Sequence, residues 1–241
     1  MFEKAEILGV KVNSITMQQA VEFVENLVAT KKNSIVATAN AEMLMMATHD
    51  AELKQILNSA DLVVPDGAGT VWAAHHLGYE MPERVAGYDL VQELMKIAPS
   101  KSIKFFLFGS APGVAEKAKA KAEELYHGIK IVGTRNGYFK AEDEPKIISE
   151  IKKAAPDILL AALGVPKQEK WLFKYKNELN VPVSIGVGGT FDVMAGNVKR
   201  APLWMQKAKL EWLFRAMLQP SRAGRLIALP KFVWKVHASK N

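Results

Sequence analysis

Asp66 is the carboxylate whose neighbours in the sequence invite chemistry. It sits in Val64-Pro65-Asp66-Gly67, just after a short apolar run, while Thr38-Ala39-Asn40 closes another such run. Pro-Asp-Gly is first of all a turn signal. An aspartate at the end of a buried strand can also act as general base toward a substrate hydroxyl. Arg84 follows in Glu83-Arg84-Val85-Ala86-Gly87 and suits either a surface ion pair or a clamp on phosphate. Gly109-Ser110-Ala111-Pro112-Gly113 comes after Phe105-Phe106-Leu107-Phe108 and before a helical pattern. Free amides at such a helix start can bind a phosphate or a ribose hydroxyl, or simply turn the chain. Two more clusters, Gly164-Val165-Pro166-Lys167-Gln168 and Gly186-Val187-Gly188-Gly189-Thr190-Phe191-Asp192, also end apolar runs.

Several chemistries lack their residues. There is neither a Gly-x-Gly-x-x-Gly fingerprint nor a Walker lysine, which leaves dinucleotide and P-loop assignments unsupported, and no Gly-x-Ser-x-Gly elbow. The five histidines (His49, His75, His76, His127 and His237) show no His-Glu-x-x-His spacing, and no Asp-x-Asp pair is present. Neither a metal nor another cofactor is therefore expected. A diphosphate leaving group would need arginines and amide dipoles to balance its charge.

Ligands of open α/β sheets sit at the carboxyl ends of strands, so the elements around these clusters matter. Apolar runs predict strands at Ala5–Val10, Ser34–Thr38, Leu62–Val64, Ile103–Phe108, Lys130–Gly133, Ile158–Leu163 and Val183–Val187. Between them, Thr16 can cap a helix carrying Ala20, Val21, Val24 and Leu27, and Asp50 can cap Ala51–Leu57. Pro112 fits the first position of a helix over Gly113–Tyr126, and the acids Glu142–Glu144 favour the start of the next. The alternation predicts an α/β fold, a Rossmann-like and mainly parallel sheet flanked by helices. After Asn197 the pattern changes. Ala201–Leu218 reads as a helix with Leu203, Leu210, Leu213, Phe214 and Met217 near one face, ended by Pro220. The expected division is a catalytic α/β domain over 1–198 and a basic, amphipathic helical appendage over 199–241.

The 241 residues, 49% hydrophobic and 24% charged, exclude disorder and low complexity, and suffice for one sizeable core. Absence of cysteine removes disulfides, thiolate metal sites and cysteine nucleophiles. The longest stretch free of Asp, Glu, Lys and Arg, Gly67 to Tyr79, is too short and polar to span a bilayer. Met1-Phe2-Glu3-Lys4-Ala5-Glu6 lacks a secretory pattern, so the default expectation is a soluble cytoplasmic protein. The net charge of +7 is lopsided: Lys199–Asn241 carries ten Lys and Arg against one acid, Glu211, leaving residues 1–198 at −2. Such a segment asks for an anionic partner: a membrane surface, a nucleic acid, or the phosphates of a ligand. It reads either as a helix packed on the body with a solvated basic face or as an appendage lying on anionic lipid.

Taken together, the motifs resemble the TagA/WecG-type bacterial glycosyltransferases (family 26), most closely the N-acetylmannosaminyltransferases of wall teichoic acid assembly. The resemblance is carried by Thr38-Ala39-Asn40-Ala41-Glu42, Val64-Pro65-Asp66-Gly67, Arg84-Val85-Ala86-Gly87, Leu107-Phe108-Gly109-Ser110, Asn136-Gly137-Tyr138-Phe139, Gly164-Val165-Pro166-Lys167-Gln168-Glu169, Gly188-Gly189-Thr190-Phe191-Asp192, Arg200-Ala201-Pro202 and Leu210-Glu211-Trp212-Leu213-Phe214-Arg215. It spans essentially the whole chain. It implies inverting transfer of N-acetylmannosamine, or of its uronic acid, from UDP to undecaprenyl-diphosphate-linked N-acetylglucosamine, giving a β-1,4-linked disaccharide lipid. In that picture Asp66 takes the proton of the acceptor 4-hydroxyl. Thr38, Asn40 and Gln168 line the pocket, Arg84 pairs with phosphate, and the tail arginines Arg215, Arg222 and Arg225 fold over the site onto diphosphate. The nucleotide is expected at Gly109, Ser110, Gly164, Gly188 and Gly189, with Tyr138 and Asp192 near the uridine. The implied partners are a UDP-sugar, the lipid-linked acceptor and an anionic membrane, with peripheral attachment to the inner face of the cell membrane and no role for nucleic acid. Off the membrane, self-association of the body is a further expectation. Another UDP-hexose donor, or a non-enzymatic anion-binding module, remain the alternatives that the residues leave open.

Overall fold

A computed structural model describes residues 2–202, 204–205, 211, 213–214 and 224–240, with backbone alone for 224–228. Its centre is a six-stranded sheet: β3 (Ser34–Ala39), β4 (Leu62–Pro65), β5 (Lys104–Gly109), β6 (Lys130–Arg135), β7 (Ile158–Ala162) and β8 (Val183–Gly186), in the order β4-β3-β8-β7-β5-β6 with every pairing parallel. β3, β4, β7 and β8 are buried along their whole lengths, as strands covered on both faces must be.

Alternation within the strands separates two core layers. Val36, Val64, Phe105, Leu107, Leu160 and Ile185 face α1 (Met17–Thr30), α5 (Gly87–Lys101), α6 (Val114–Leu125) and α9 (Thr190–Met194). On the opposite face, Ile35, Ala37 and Val63 meet α2 (Ala41–Ala47), α3 (Ala51–Ser59) and α4 (Ala68–His76), while Phe106, Phe108 and Leu159 meet α7 (Glu144–Ala154) and α8 (Lys167–Leu179). The chain thus leaves β5 and β8 toward one face and β3, β4 and β7 toward the other. Connections that part in this way open a crevice at the carboxyl edge of the sheet.

The expected caps are present. Thr16 accepts from the amide of Gln19 while the Gln19 side chain accepts from the Thr16 amide, a complete capping box, and Asp50 Oδ1 accepts from Leu53 N at 3.0 Å. Two expectations fail. The single strand over Ala5–Val10 is an antiparallel hairpin of β1 (Lys4–Ile7) and β2 (Val10–Asn13), because Leu8 (φ 52°) and Gly9 (φ 81°) are both left-handed and fold the chain back. The hairpin covers the β4 edge, where Asn13 Oδ1 takes the Val63 amide at 2.9 Å. Pro112 is not at the start of α6 either: Gly113, at φ 81°, is the cap and the helix begins at Val114.

Of the helix expected over Ala201–Leu218, Trp204, Met205, Glu211, Leu213 and Phe214 are described and helical; Leu203, Leu210, Met217 and Pro220 lie outside the described residues. The last helix, α10 (Gly224–Ala238), packs on the body: Phe232 and Val236 are fully buried in the layer formed with α2 and α4. Burying side chains of that size stabilises by roughly 1.5–3 kcal/mol each. Lys235 Nζ also donates to Thr48 Oγ1 at 2.8 Å, and His237 Nδ1 lies 3.1 Å from His76 Nε2. Among the described residues, no helix is long and apolar enough to cross a membrane.

Candidate active site

The turns singled out in the sequence lie in a row along the carboxyl edge of the sheet. Ala39 is the register partner of Pro65, so Asn40 and Asp66 leave adjacent strands side by side. Backbone bonds fix this corner. The Asp66 amide donates to Ala39 O at 3.0 Å, and the buried Thr70 hydroxyl reaches both Ala39 O and Asp66 O, at 3.0 and 3.1 Å. The Val85 amide donates to Pro65 O at 3.0 Å, tying the Arg84 segment to the same strand end. Asp66 itself is half-buried, and Gly67 at φ 88° makes the sharp exit into α4. Asn40 caps α2, its Oδ1 accepting from Met43 N at 3.0 Å, which leaves its amide nitrogen for other partners. Thr38 is buried, with its hydroxyl donating to Gly186 O at 3.2 Å; a Cβ on Gly87 would stand 2.9 Å from the Thr38 methyl, so α5 starts hard against it.

Gln168 joins the next two turns. Its Oε1 accepts from Gly164 N at 3.2 Å and Gly188 N at 3.1 Å, and its Nε2 donates to Glu169 Oε1 at 2.7 Å. The resemblance makes Gln168 a pocket-lining residue. In the structure it is 1% exposed and acts as a strut between the ends of β7 and β8, with one amide hydrogen left over. Its neighbour Glu169 was not singled out as a site residue from the sequence. That carboxyl is also buried, its Oε2 has no hydrogen-bond partner, and burial pushes its pKa from 4.5 up to about 7.

The remaining candidates gather at β5, β6 and β8. Gly109 has φ 131°, and a Cβ there would lie 2.3 Å from Ala162 O. Ser110 is left-handed at φ 57°, its amide donating to Ala162 O and its carbonyl accepting from Gly137 N, both at 2.8 Å. The Ser110 hydroxyl donates to Asp192 Oδ2 at 3.3 Å, in the first turn of α9 after Gly188 and Gly189. Tyr138 follows at the rim, 74% exposed. The structure therefore brings together Gly109, Ser110, Tyr138 and Asp192 in one group and Thr38, Asn40, Asp66 and Arg84 in another. The turns carrying Gly164, Gly188 and Gly189 lie between them.

Arg84 is engaged more deeply than a surface ion pair. Its Nη1 donates to Glu211 Oε2 at 2.9 Å, and its Nη2 lies 3.7 Å from Asp89 Oδ2. Arg200 grips Asp89 with two bonds of 2.5 and 2.7 Å, approaches Glu211 Oε1 at 3.7 Å, and stacks over Tyr88 at 4.7 Å. Burial opposes the Arg200 charge, but Asp89 and Glu211 outweigh it and raise its pKa. Arg215 and Arg222 lie outside the described residues, as does the side chain of Arg225, whose backbone opens α10. Among the described residues, no three His, Asp or Glu side chains gather as a metal centre.

Against known proteins, residues 5–241 match the model of the glycosyl transferase WecG/TagA/CpsF family. The chain belongs to this family. It is 36% identical over 239 residues to the N-acetylglucosaminyldiphosphoundecaprenol N-acetyl-beta-D-mannosaminyltransferase of Staphylococcus aureus (strain NCTC 8325 / PS 47), covering 98% of this chain and 93% of that protein. The protein of the same description from Bacillus subtilis (strain 168) is 37% identical over 206 residues, 86% of this chain and 80% of its own. The WecG/TagA/CpsF match runs through the tail, which makes residues 199–241 part of the family's common chain. Glu169 and Glu211 both fall inside motifs that carry the resemblance, and Glu211 is marked as well by being the one acid of residues 199–241.

Proposed function

We propose that the chain is an inverting transferase moving N-acetylmannosamine from UDP-N-acetylmannosamine to undecaprenyl-diphosphate-linked N-acetylglucosamine, forming the β-1,4 disaccharide lipid of the teichoic acid linkage unit. The carrying observation is the corner where Asp66 and Asn40 leave paired strands beside a row of glycine turns. In the proposed reaction the acceptor 4-hydroxyl attacks the anomeric carbon, Asp66 takes its proton, and the bond to UDP breaks on the opposite face. One base and one leaving group account for the inversion. Asn40 and Thr38 orient the sugars, with Gln168 holding the wall behind them. UDP lies along Gly109, Ser110, Gly164, Gly188 and Gly189, with Tyr138 and Asp192 toward the uridine. Charge developing on the leaving diphosphate is met by turn amides, by the N–H groups of Arg84 not spent on Glu211, and by Arg215, Arg222 and Arg225.

Attachment to the membrane is proposed as peripheral, on the inner face. Its support is the basic tail together with α10, which buries Phe232 and Val236 and leaves Val233 and Trp234 exposed, the latter by 73%. The test of the chemistry is Asp66→Asn, which keeps shape and removes basicity. Turnover is expected to fall by roughly 10²–10⁴ with UDP affinity little changed. Near-normal turnover would remove Asp66 from the role.

A further inference from the structure

The tail carries one acidic residue, Glu211, among ten cations, and that residue is buried, at 8% exposure. A carboxylate leaves water at a cost unless cations meet it. Glu211 is met by Arg84 at 2.9 Å and Arg200 at 3.7 Å, and both guanidinium groups also face Asp89 in the first turn of α5. Arg84 precedes Val85, whose amide is bonded to Pro65 O, one residue before Asp66. A second tail contact lies on the other side of the same loop. A Cβ on Gly69, three residues after Asp66, would stand 3.8 Å from the Phe232 ring of α10. The tail therefore grips the Asp66 loop from both flanks, by charge at α5 and by apolar packing at α4.

We propose that Glu211 is a positioning residue that, together with Arg200, latches the tail to α5 and to Arg84, fixing the Arg84 guanidinium beside the catalytic corner where a substrate diphosphate arrives. This rests on the proposed transfer reaction for its consequence, though not for its geometry. A lone acid in a segment of charge +9 gives up a cation-attracting surface position to sit in a buried ion-pair cluster. Bidentate Arg200–Asp89 geometry gives that cluster a fixed orientation, which a loose tail would lack. Arg84 spends one N–H on Glu211 and faces Asp89 at 3.7 Å with its other terminal nitrogen, which leaves N–H groups in the five-donor fork for a phosphate.

The test uses the full-length protein with Glu211→Gln, and with Arg200→Gln as an independent second variant. Without any ligand, amide hydrogen exchange across residues 199–214 should become about tenfold faster in both variants, while the sheet stays protected. With UDP-N-acetylmannosamine and lipid-linked N-acetylglucosamine in vesicles, kcat should fall about tenfold and the donor KM should stay within about twofold. Adding Glu211→Gln to Arg84→Gln should cost clearly less than the roughly tenfold that Glu211→Gln costs alone, since the two changes share the Arg84–Glu211 contact and only the longer Arg200 contact is left to lose. Unchanged exchange in Glu211→Gln overturns the latch. So does faster turnover, which would make Glu211 a plug rather than a latch, or a double variant whose losses multiply. Faster exchange in a protein whose wild type transfers no sugar upholds the latch and rejects the proposed reaction.

Discussion

Glu169 is the residue whose state is easiest to misjudge. Solvent-exposed glutamates are ionised at neutral pH, whereas burial pushes this one from 4.5 up to about 7. The native protein holds the proton through a range in which the unfolded chain has released it. Stability from this group is therefore fully present below about pH 4.5, falls as pH rises toward 7, and is level above. The change amounts to roughly 3 kcal/mol. Glu169→Gln keeps an acceptor for Gln168 without a titrating group, so its melting temperature relative to wild type should rise from pH 5 to pH 8. A difference between the two proteins that is the same at both pH values would show Glu169 ionised in the fold. Residue chemistry of this kind was only partly legible in the sequence. Asp66, Asn40, Ser110 and Asp192 announced themselves by standing at the ends of apolar runs. Glu169 stands inside a helix, where sequence gives no sign of how much water reaches it. The partnership of Glu211 with Arg84 spans 127 residues and appears only once the chain is folded.

At the scale of elements, the sheet followed from hydrophobic runs because strands buried on both faces must be apolar throughout. The β1–β2 hairpin did not, since Leu8-Gly9 lacks the usual Asn-Gly or Asp-Gly turn chemistry yet adopts the same double left-handed geometry. The tight turns matter most where elements converge. Gly137 ends the exit of β6 against the exit of β5: a Cβ there would stand 2.9 Å from the Leu163 side chain, 3.1 Å from Gly109 Cα and 3.2 Å from Ser110 N. The backbone of Ser110 and Gly109 cannot yield without disturbing the Ala162 pairing. Gly137→Ala should therefore lower UDP affinity by about tenfold while leaving the Asp66 corner intact. Calorimetric titration checks this, and unchanged affinity would place the nucleotide elsewhere in the crevice.

For the whole molecule, the described parts of the tail pack on both faces of the sheet. Phe232 and Val236 complete the layer over α2 and α4, while Glu211 reaches α5 on the opposite side of the sheet. Deleting residues 199–241 leaves every strand of the sheet in place but uncovers the Gly69 and Ala41 surface. The truncated protein should fold, bind UDP, lose turnover and liposome binding, and self-associate through the uncovered face. Light scattering and vesicle sedimentation check it; a monomeric truncated protein with full activity on a water-soluble acceptor would reduce the tail to an anchor. Sugar transfer to a lipid is the reaction that the Asp66 corner, the glycine turns and the tail would serve together. Purified full-length protein is to be incubated with UDP-N-acetylmannosamine and undecaprenyl-diphosphate-linked N-acetylglucosamine in vesicles, with a panel of other UDP-hexoses beside it. The predicted result is UDP release matched by a disaccharide lipid with a β-1,4 linkage, from that donor alone. A different preferred donor, a retained α linkage, or no transfer would contradict it.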